Sequence, residues 1–476
     1  MERQTEWKGI PIAALLRARL GPLARRWVRV LGELGRERGE AVYLVGGLVR
    51  DLLLQREHRD LDVTLEGDGD GFAAALAARV DGLVRRHPEF LTAVVRGADG
   101  FEVDIVTARA EGYPEPAVLP SVRPGDLRSD LLRRDFGANA LAIQISGVAV
   151  PELVDLCGGL ADLEAHRLRV LHDASFRDDP TRILRGVRLE ARLGFRFDAP
   201  TEAQARAAVK EGIFDRLSGS RLRHELELLL EETGLAPLAL ARLSNLGVLR
   251  AIHPALRWNA EVAARLRRVQ GLVETEFPGG RSAPGVWPEG GALRRWRLLL
   301  MALATHLSEE QTEELAERLL LEGADRHRIA GFPKRMQHAA ARLAGPAEPA
   351  PHAVAEALEE LSEEELLLAE SGPDPRLSSY LNLYRKTLRG LTLGVRGADL
   401  VAAGYPPGPA IGHALRAVRR ARWDGRLGPE GELEYALEVL EGLRREGTQA
   451  VPAGSGDATL LDPRLGGAAR VSRSAR

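Results

Sequence analysis

Asp60 and Asp62 stand two apart in RDLDVTLEG (59–67), a segment whose β-branched alternation predicts a strand. Side chains at i and i+2 of a strand share a face, so both carboxylates can reach one point. Two like charges held together repel, and a hard divalent cation such as Mg²⁺ between them removes that cost. Asp104, in FEVDIVTAR (101–109), lies on another predicted strand and offers a third carboxylate, which suits a two-metal phosphoryl-transfer site. Upstream, YLVGGLVRD ends a strand with Gly46 and Gly47. Paired glycines let backbone N–H groups approach a triphosphate closely, and Arg50 can add a charged contact. The pattern G-x-x-x-x-G-K-[ST] is absent, and a plain strand-to-helix turn is the competing reading of the glycines. An acidic D-x-D is also common at solvated strand ends, so the carboxylates alone leave two readings open. EGDGDG (66–71) lacks the later ligands and terminal Glu of a calcium loop and reads as a turn capping the next helix.

The elements that must carry these residues are short. AVYLVGG (41–47), RDLDVTLEG (59–67), TAVVRG (92–97), FEVDIVTAR (101–109) and ALAIQI (140–145) predict strands, with one clear helical stretch between them at GFAAALAARV (71–80). Together they predict a small mixed sheet flanked by helices. Residues 12–39 have helical spacing and no strand signal, which predicts a leading helix or helix pair ending near Gly39. From about 160 to 445 nearly every segment has a helical period, broken by Gly and Pro near 194–200, 276–289, 343–351 and 403–409. The expected division is a helical extension (1–39), a catalytic head (40–165), a neck (166–232), a body (233–345), a tail (346–450) and a disordered end (451–476), small, polar and basic.

Composition bounds the class. The 476 residues are too many for one core, and 45% hydrophobic with 5% aromatic content, rich in Ala, Leu, Arg and Glu, suits a largely helical soluble protein. No run approaches the ~18 apolar residues a membrane span requires, and the apolar stretch at the start is too short for a signal peptide, so no membrane partner and a cytoplasmic location are expected. The single cysteine, Cys157, excludes an internal disulfide and a cysteine zinc cluster. A net charge of −2 does not exclude a nucleic-acid partner, because charges of opposite sign can be segregated in space. Only four of the 66 basic residues are lysine; arginine favours bidentate pairing with phosphate, although a GC-rich genome gives the same bias.

The ordered motifs resemble the class II tRNA nucleotidyltransferases and bacterial poly(A) polymerases, whose head belongs to the DNA polymerase beta-like superfamily. LVGGLVRD followed by RDLDV is similar to the family's first motif, LRRDFGANALAI (132–143) to its ribose-binding motif and DLCGGLADL (155–163) to its hinge. SFRDDPTRILRGVRLEARLGF (175–195) resembles the nucleotide-selecting helix, SGSRLRHELELLL (218–230) the helix that supports it, and GADLVAAGYPPGPAIGHAL (397–415) a tail motif. The resemblance implies an α+β chain, a polymerase beta-like head followed by an all-helical neck, body and tail. It implies a template-independent enzyme adding C and/or A from CTP or ATP to the tRNA 3′ end, with Mg²⁺ in a two-metal site. Poly(A) addition to general RNA, and an inactive RNA-binding protein on the same scaffold, are the alternatives. The EGDG turn and the DDPTR form resemble the branch that includes A-adding members. No phosphohydrolase H…HD…D cluster accompanies His172-Asp173, so no attached hydrolase is expected.

Carried over residue by residue, the resemblance implies Asp60 and Asp62 as metal ligands, with Gly46, Gly47 and Arg50 at the triphosphate. Arg134, Asp135 and Asn139 would meet the nucleotide and its sugar, and Asp179, Arg182, Arg185 and Arg188 would line its pocket. Their spacing of three forms a slowly winding helical stripe. A carboxylate accepts from an exocyclic amine while a guanidinium donates to a ring nitrogen, a pairing that adenine and cytosine satisfy and guanine and uracil reverse. Two departures stand out: Gly137-Ala138 replaces the usual Thr-Ile before Asn139, and Asp178 replaces the commoner Glu. Arginine-rich ALRRWR (292–297) and HALRAVRRAR (413–422) are candidate surfaces for tRNA, read by shape and phosphate, or else solvated helix faces. Oligomeric state stays open.

Overall fold

The computed structural model describes residues 2–58, 60–276, 294–345 and 347–449. The expected disorder of 451–476 lies outside the described residues, as do Ala292 and Leu293 of the first arginine-rich stretch. The chain divides into two compact units, the larger formed by Met1–Ala341 with Glu360–Leu381, the smaller by Arg342–Glu359 with the chain from Asn382 onward.

The larger unit is built on an eight-stranded sheet. Its strands are β1 (Glu2–Gln4), β2 (Val42–Val45), β3 (Asp62–Leu65), β4 (Leu83–His87), β5 (Thr92–Arg96), β6 (Glu102–Thr107), β9 (Leu141–Gln144) and β10 (Glu152–Asp155). A separate hairpin joins β7 (Arg109–Gly112) to β8 (Ser121–Pro124). The spatial order is β1-β10-β9-β2-β3-β6-β5-β4, and every neighbouring pair is antiparallel except β3 with β6. Central β2 reads VYLV and is buried throughout, as a strand covered on both faces must be.

Helices α1 (Ile12–Arg19) and α2 (Pro22–Arg38) occupy the expected leading region. The first residues are not a purely helical extension, because β1 pairs in register with β10, Glu2 opposite Asp155, and joins the head's own sheet. A three-residue strand of charged and amide side chains carries no apolar alternation, so only the partner edge reveals it. Helix α3 (Gly47–Leu53) follows β2 directly, and α4 (Gly69–Arg79) packs on β5 and β6. Asp68 caps α4 by accepting from Gly71 N at 2.8 Å, the capping read from EGDGDG.

Beyond the sheet come α5 (Leu127–Leu132), α6 (Ser175–Asp178), α7 (Thr181–Leu193) and α8 (Gly219–Glu231), the last two packed together. Further helices, including Ala260–Glu276 and Arg295–Ala304, make the region largely helical, but Arg167–Leu168 pairs in parallel with Arg196–Phe197, a correction to the all-helical neck expected above. Arg297 is buried there, paired with Glu364 at 2.6 Å and Asp325 at 2.6 Å, so this part of ALRRWR is interior and not an RNA-facing surface. The smaller unit packs Pro409–Trp423 against Glu432–Gln449 around Leu400, Val418 and Leu440. Within it the basic run 413–422 is largely spent on ion pairs, Arg420 with Glu356, Arg419 with Glu359 and Arg422 with Glu432. Among the described residues no helix is long and apolar enough to cross a membrane.

Candidate nucleotide and metal site

Strand β3 begins at Asp62, so Asp60 lies on the approach to the strand and outside its ladder, a correction to the expectation that both sit within it. Asp62 pairs in register with Asp104 on parallel β6, which sets two carboxylates side by side on adjacent strands. Burial pushes the Asp62 carboxyl above the usual carboxylate range, and Asp60 adds to this while Arg134 and His58 oppose it. Asp104 is raised too, by burial first and then by repulsion from Asp62, Asp60 and Glu102. Two carboxylates with raised affinity for positive charge, repelled by a third close by, fit a divalent cation. Among the described residues no three His, Cys, Asp or Glu side chains close on one metal point, so ligands from outside the protein would have to complete the shell.

Gly46 turns the chain between β2 and α3 at φ +72°, a conformation that only glycine adopts without strain. A Cβ there would stand 2.7 Å from Arg134 Nη1 and 3.7 Å from Asp62 Oδ2. The guanidinium therefore lies over the turn beside the carboxylate. Arg134 is held by Asp130, which is fully buried, at 2.9 Å. Arg50, read above as a phosphate contact, is not brought to this face. It is 3% exposed, bonded to Asp51 and, at 2.6 Å, to Asn139 Oδ1. Helical rise turns its side chain inward, where it supports Asn139.

A cavity of about 670 Å³ opens beside the turn. Gly46, Gly47, Asp62 and Arg134 line one side. Asp135, Asn139, Asp179, Arg182 and Arg185 also line it, whereas Asp60, Asp104, Arg50 and Arg188 do not. Its volume lies in the range of small-molecule sites, roughly 300–1,000 Å³. Arg188 instead faces Glu225 at 3.6 Å and Glu232 at 3.9 Å, joining α7 to α8.

Asp135 is buried, accepts from Asn139 Nδ2 at 2.8 Å and pairs with Arg185 at 2.9 Å. Burial opposes its charge, but Arg185 and the Asn139 hydrogen bond outweigh burial and hold the carboxyl down at about 2. Next to it Phe136 is fully buried and stacks on Phe197 at 5.8 Å, anchoring the motif. The Gly137 departure now has a physical account. A Cβ at that position would lie 2.0 Å from Asp162 Oδ2 and 3.0 Å from Arg169 Nη2, so the space of the usual side chain is taken by the buried Asp162 and its half-buried partner Arg169.

Asp179 accepts through Oδ1 from Thr181 N at 3.0 Å and Arg221 Nη2 at 2.7 Å; Oδ2 has no donor among the described residues. Arg182 is 4% exposed. Its Nη1 donates to Ser175 Oγ at 2.7 Å and His172 Nε2 at 3.3 Å, its Nη2 to the Arg133 carbonyl at 2.8 Å and Tyr113 Oη at 3.3 Å. Sequence reasoning missed several lining residues. Glu111 and Tyr113 come from the β7–β8 hairpin region and Arg133 from the end of α5, while Arg221, His224 and Glu225 come from α8. The SGSRLRHE motif pointed to α8; nothing in RAEGYPEP marks Tyr113 before the hairpin is folded.

Residues 42–169 match the family model described as the poly(A) polymerase head domain, which puts the sheet and its carboxylates in the nucleotidyltransferase class. An A-adding tRNA nucleotidyltransferase of Geobacter sulfurreducens is 36% identical over 425 residues, 87% of this chain and 47% of that protein. The chain spans about half the length of the curated relatives it matches. Other relatives are named CC-adding and CCA-adding. Among solved structures, a CCA-adding enzyme complexed with ATP aligns with a TM-score of 0.72 at 28% identity, covering 93% of this chain and 99% of that one. The Thermotoga maritima CCA-adding enzyme complexed with tRNA aligns with a TM-score of 0.69 at 29% identity, covering 91% and 98%. The chain belongs to the class II tRNA nucleotidyltransferase family.

Proposed function

We propose that this protein is a cytoplasmic, Mg²⁺-dependent enzyme that adds nucleotides to the 3′ end of tRNA from ATP or CTP, without a nucleic-acid template. The terminal adenylate is the step best supported, by the EGDG turn and by relatives named A-adding. The observation that carries the reading is the register of Asp62 with Asp104, with Asp60 close by, at the rim of an arginine-lined cavity.

Asp60 and Asp62 would hold the metal, with Asp104 adding negative charge beside them. Bound there, Mg²⁺ supplies Lewis acidity toward the triphosphate and lowers the pKa of the primer hydroxyl. The chain's own residues do the positioning. Arg134, fixed by Asp130 over the Gly46 turn, presents positive charge to phosphate. Asn139 and Asp135, locked by Arg50 and Arg185, offer amide and carboxylate groups to the sugar. Asp179 Oδ2 is available to an exocyclic amine, and Arg182 sits in the same wall to meet a ring nitrogen. Holding the reactants in line accounts for most of the catalysis such a site can provide.

The test offers the purified protein four tRNA transcripts, ending before CCA, after C, after CC and complete, with each nucleotide in turn. Addition of one A to the CC-ended transcript alone is expected. Addition of C to the shorter transcripts broadens the reading to CC or CCA synthesis. Long adenylate tails on unrelated RNA would replace it with poly(A) synthesis.

A further inference from the structure

We propose that Ser175 and His172 are positioning residues that set base choice: by occupying both Nη1 hydrogens of Arg182 they leave Nε–H as the one donor this guanidinium can turn to a nucleobase. The inference rests on the reading of the cavity as a nucleotide site.

A guanidinium carries five N–H donors and no acceptor. Four are spoken for, by Ser175 Oγ and His172 Nε2 on one arm and by the Arg133 carbonyl and Tyr113 Oη on the other. Nε–H has no protein acceptor among the described residues and is not among the polar atoms sealed from solvent. A single fixed N–H pairs with a ring nitrogen that accepts, N1 of adenine or N3 of cytosine. Guanine and uracil present an N–H in those places, and donor meets donor. A loose fork could swing an Nη–H onto the neighbouring carbonyl of guanine or uracil and recover a hydrogen bond. The anchored fork cannot, so its saturation is itself the source of discrimination.

Both anchors come from one turn. Ser175 is fully buried, and its backbone N–H donates to the His172 carbonyl at 3.2 Å. Its own carbonyl accepts from Asp179 N at 3.1 Å, so the same turn places the carboxylate and the guanidinium that face a base. Because Arg182 can only donate, His172 Nε2 must accept, which requires a neutral ring protonated on Nδ1. The charged groups facing His172 are Arg182 from α7, Asp178 from α6, with its Oδ2 at 3.8 Å from Nδ1, and the adjacent Asp173. Burial and then Arg182 lower the imidazole pKa against the pull of the two aspartates, which keeps the ring neutral at pH 7.

The experiment measures ATP and UTP affinity of the full chain by calorimetry, together with single-turnover incorporation on a CC-ended tRNA. Ser175→Ala and His172→Leu should each narrow the ATP-to-UTP ratio about tenfold, the worth of one lost hydrogen bond to a charged group. Ser175→Thr and His172→Gln, which keep an acceptor, should restore it. In the wild type the ratio should narrow as pH falls through a value below the ordinary 6.5 of histidine, and in His172→Gln it should stay flat. Ser175→Ala that melts like the wild type and keeps its ratio within about twofold overturns the inference. If that variant does not fold, His172→Leu decides by the same criterion. A wild type that binds neither nucleotide removes the cavity reading and this inference with it. Selective binding of ATP without addition to tRNA overturns the proposed reaction alone.

Discussion

Asp62 concentrates the chemistry of the site in one side chain, with burial first and then the neighbouring Asp60 raising its pKa, and a divalent cation able to relieve both. Asp62→Asn should lower incorporation by more than about 100-fold, since even an outer-shell partner of a metal can cost that much. The fold should survive, because the substitution removes repulsion. A melting curve with and without Mg²⁺ separates the effects: the wild type should gain up to about 2.7 kcal/mol at 100 times Kd, and the variant little. Asp135 behaves in the opposite sense. Its folded pKa, about 2, lies below the ordinary 3.8, so its contribution to stability is complete above about 4 and lost as pH falls toward 2. At neutral pH this amounts to about 2 kcal/mol. Acid denaturation of Asp135→Asn should therefore be shallower in that window, and equal slopes would contradict the assignment.

At the scale of the element, the turn from β2 into α3 explains why one residue cannot be changed. Gly46→Ala puts a non-glycine residue at φ +72° and ψ −138°, worth about 1–3 kcal/mol, and drives a methyl group to 2.7 Å from Arg134. We expect lower stability by urea titration and a raised KM for ATP with a smaller change in kcat, because the displaced group is the proposed phosphate contact. The short helical turn Gly137–Asn139 is constrained from the other side. Restoring the family's threonine with Gly137→Thr should destabilise the protein by about 1–3 kcal/mol, since Asp162 already fills the space. A neutral outcome would mean that Asp162 and Arg169 relax at little cost.

At the scale of the whole molecule, arginine serves the interior as well as any RNA partner. The pair Arg297–Glu364 is buried, and Glu364→Ala should cost about 3–5 kcal/mol by stranding the guanidinium. Because several arginines of the expected basic stretches are already held in ion pairs, the proposed tRNA binding would draw on other cations as well. Its affinity should still fall more than about tenfold between about 50 and 200 mM salt if three or more phosphates are neutralised. Filter binding across that range checks this, and a flat profile would argue against phosphate recognition.

The main strands, the glycine turn and the spacing of Arg182 and Arg185 were legible in the sequence because each is local, whereas Asp60 falls just outside its strand and Asp179, in extended backbone, just outside the helix expected to carry it. Periodicity of two or three residues determines which side chains share a face before anything packs. What lay beyond that reading was decided across the chain. The pairing of β1 with β10, the register of Asp62 with Asp104, the burial of Arg50 and the capture of Arg182 by Ser175, His172 and Tyr113 all join residues far apart or unmarked by pattern. Local spacing can place a guanidinium on a face. Only the packed neighbours determine which of its hydrogens remain free, because hydrogen-bond partners are supplied by whatever the fold brings alongside.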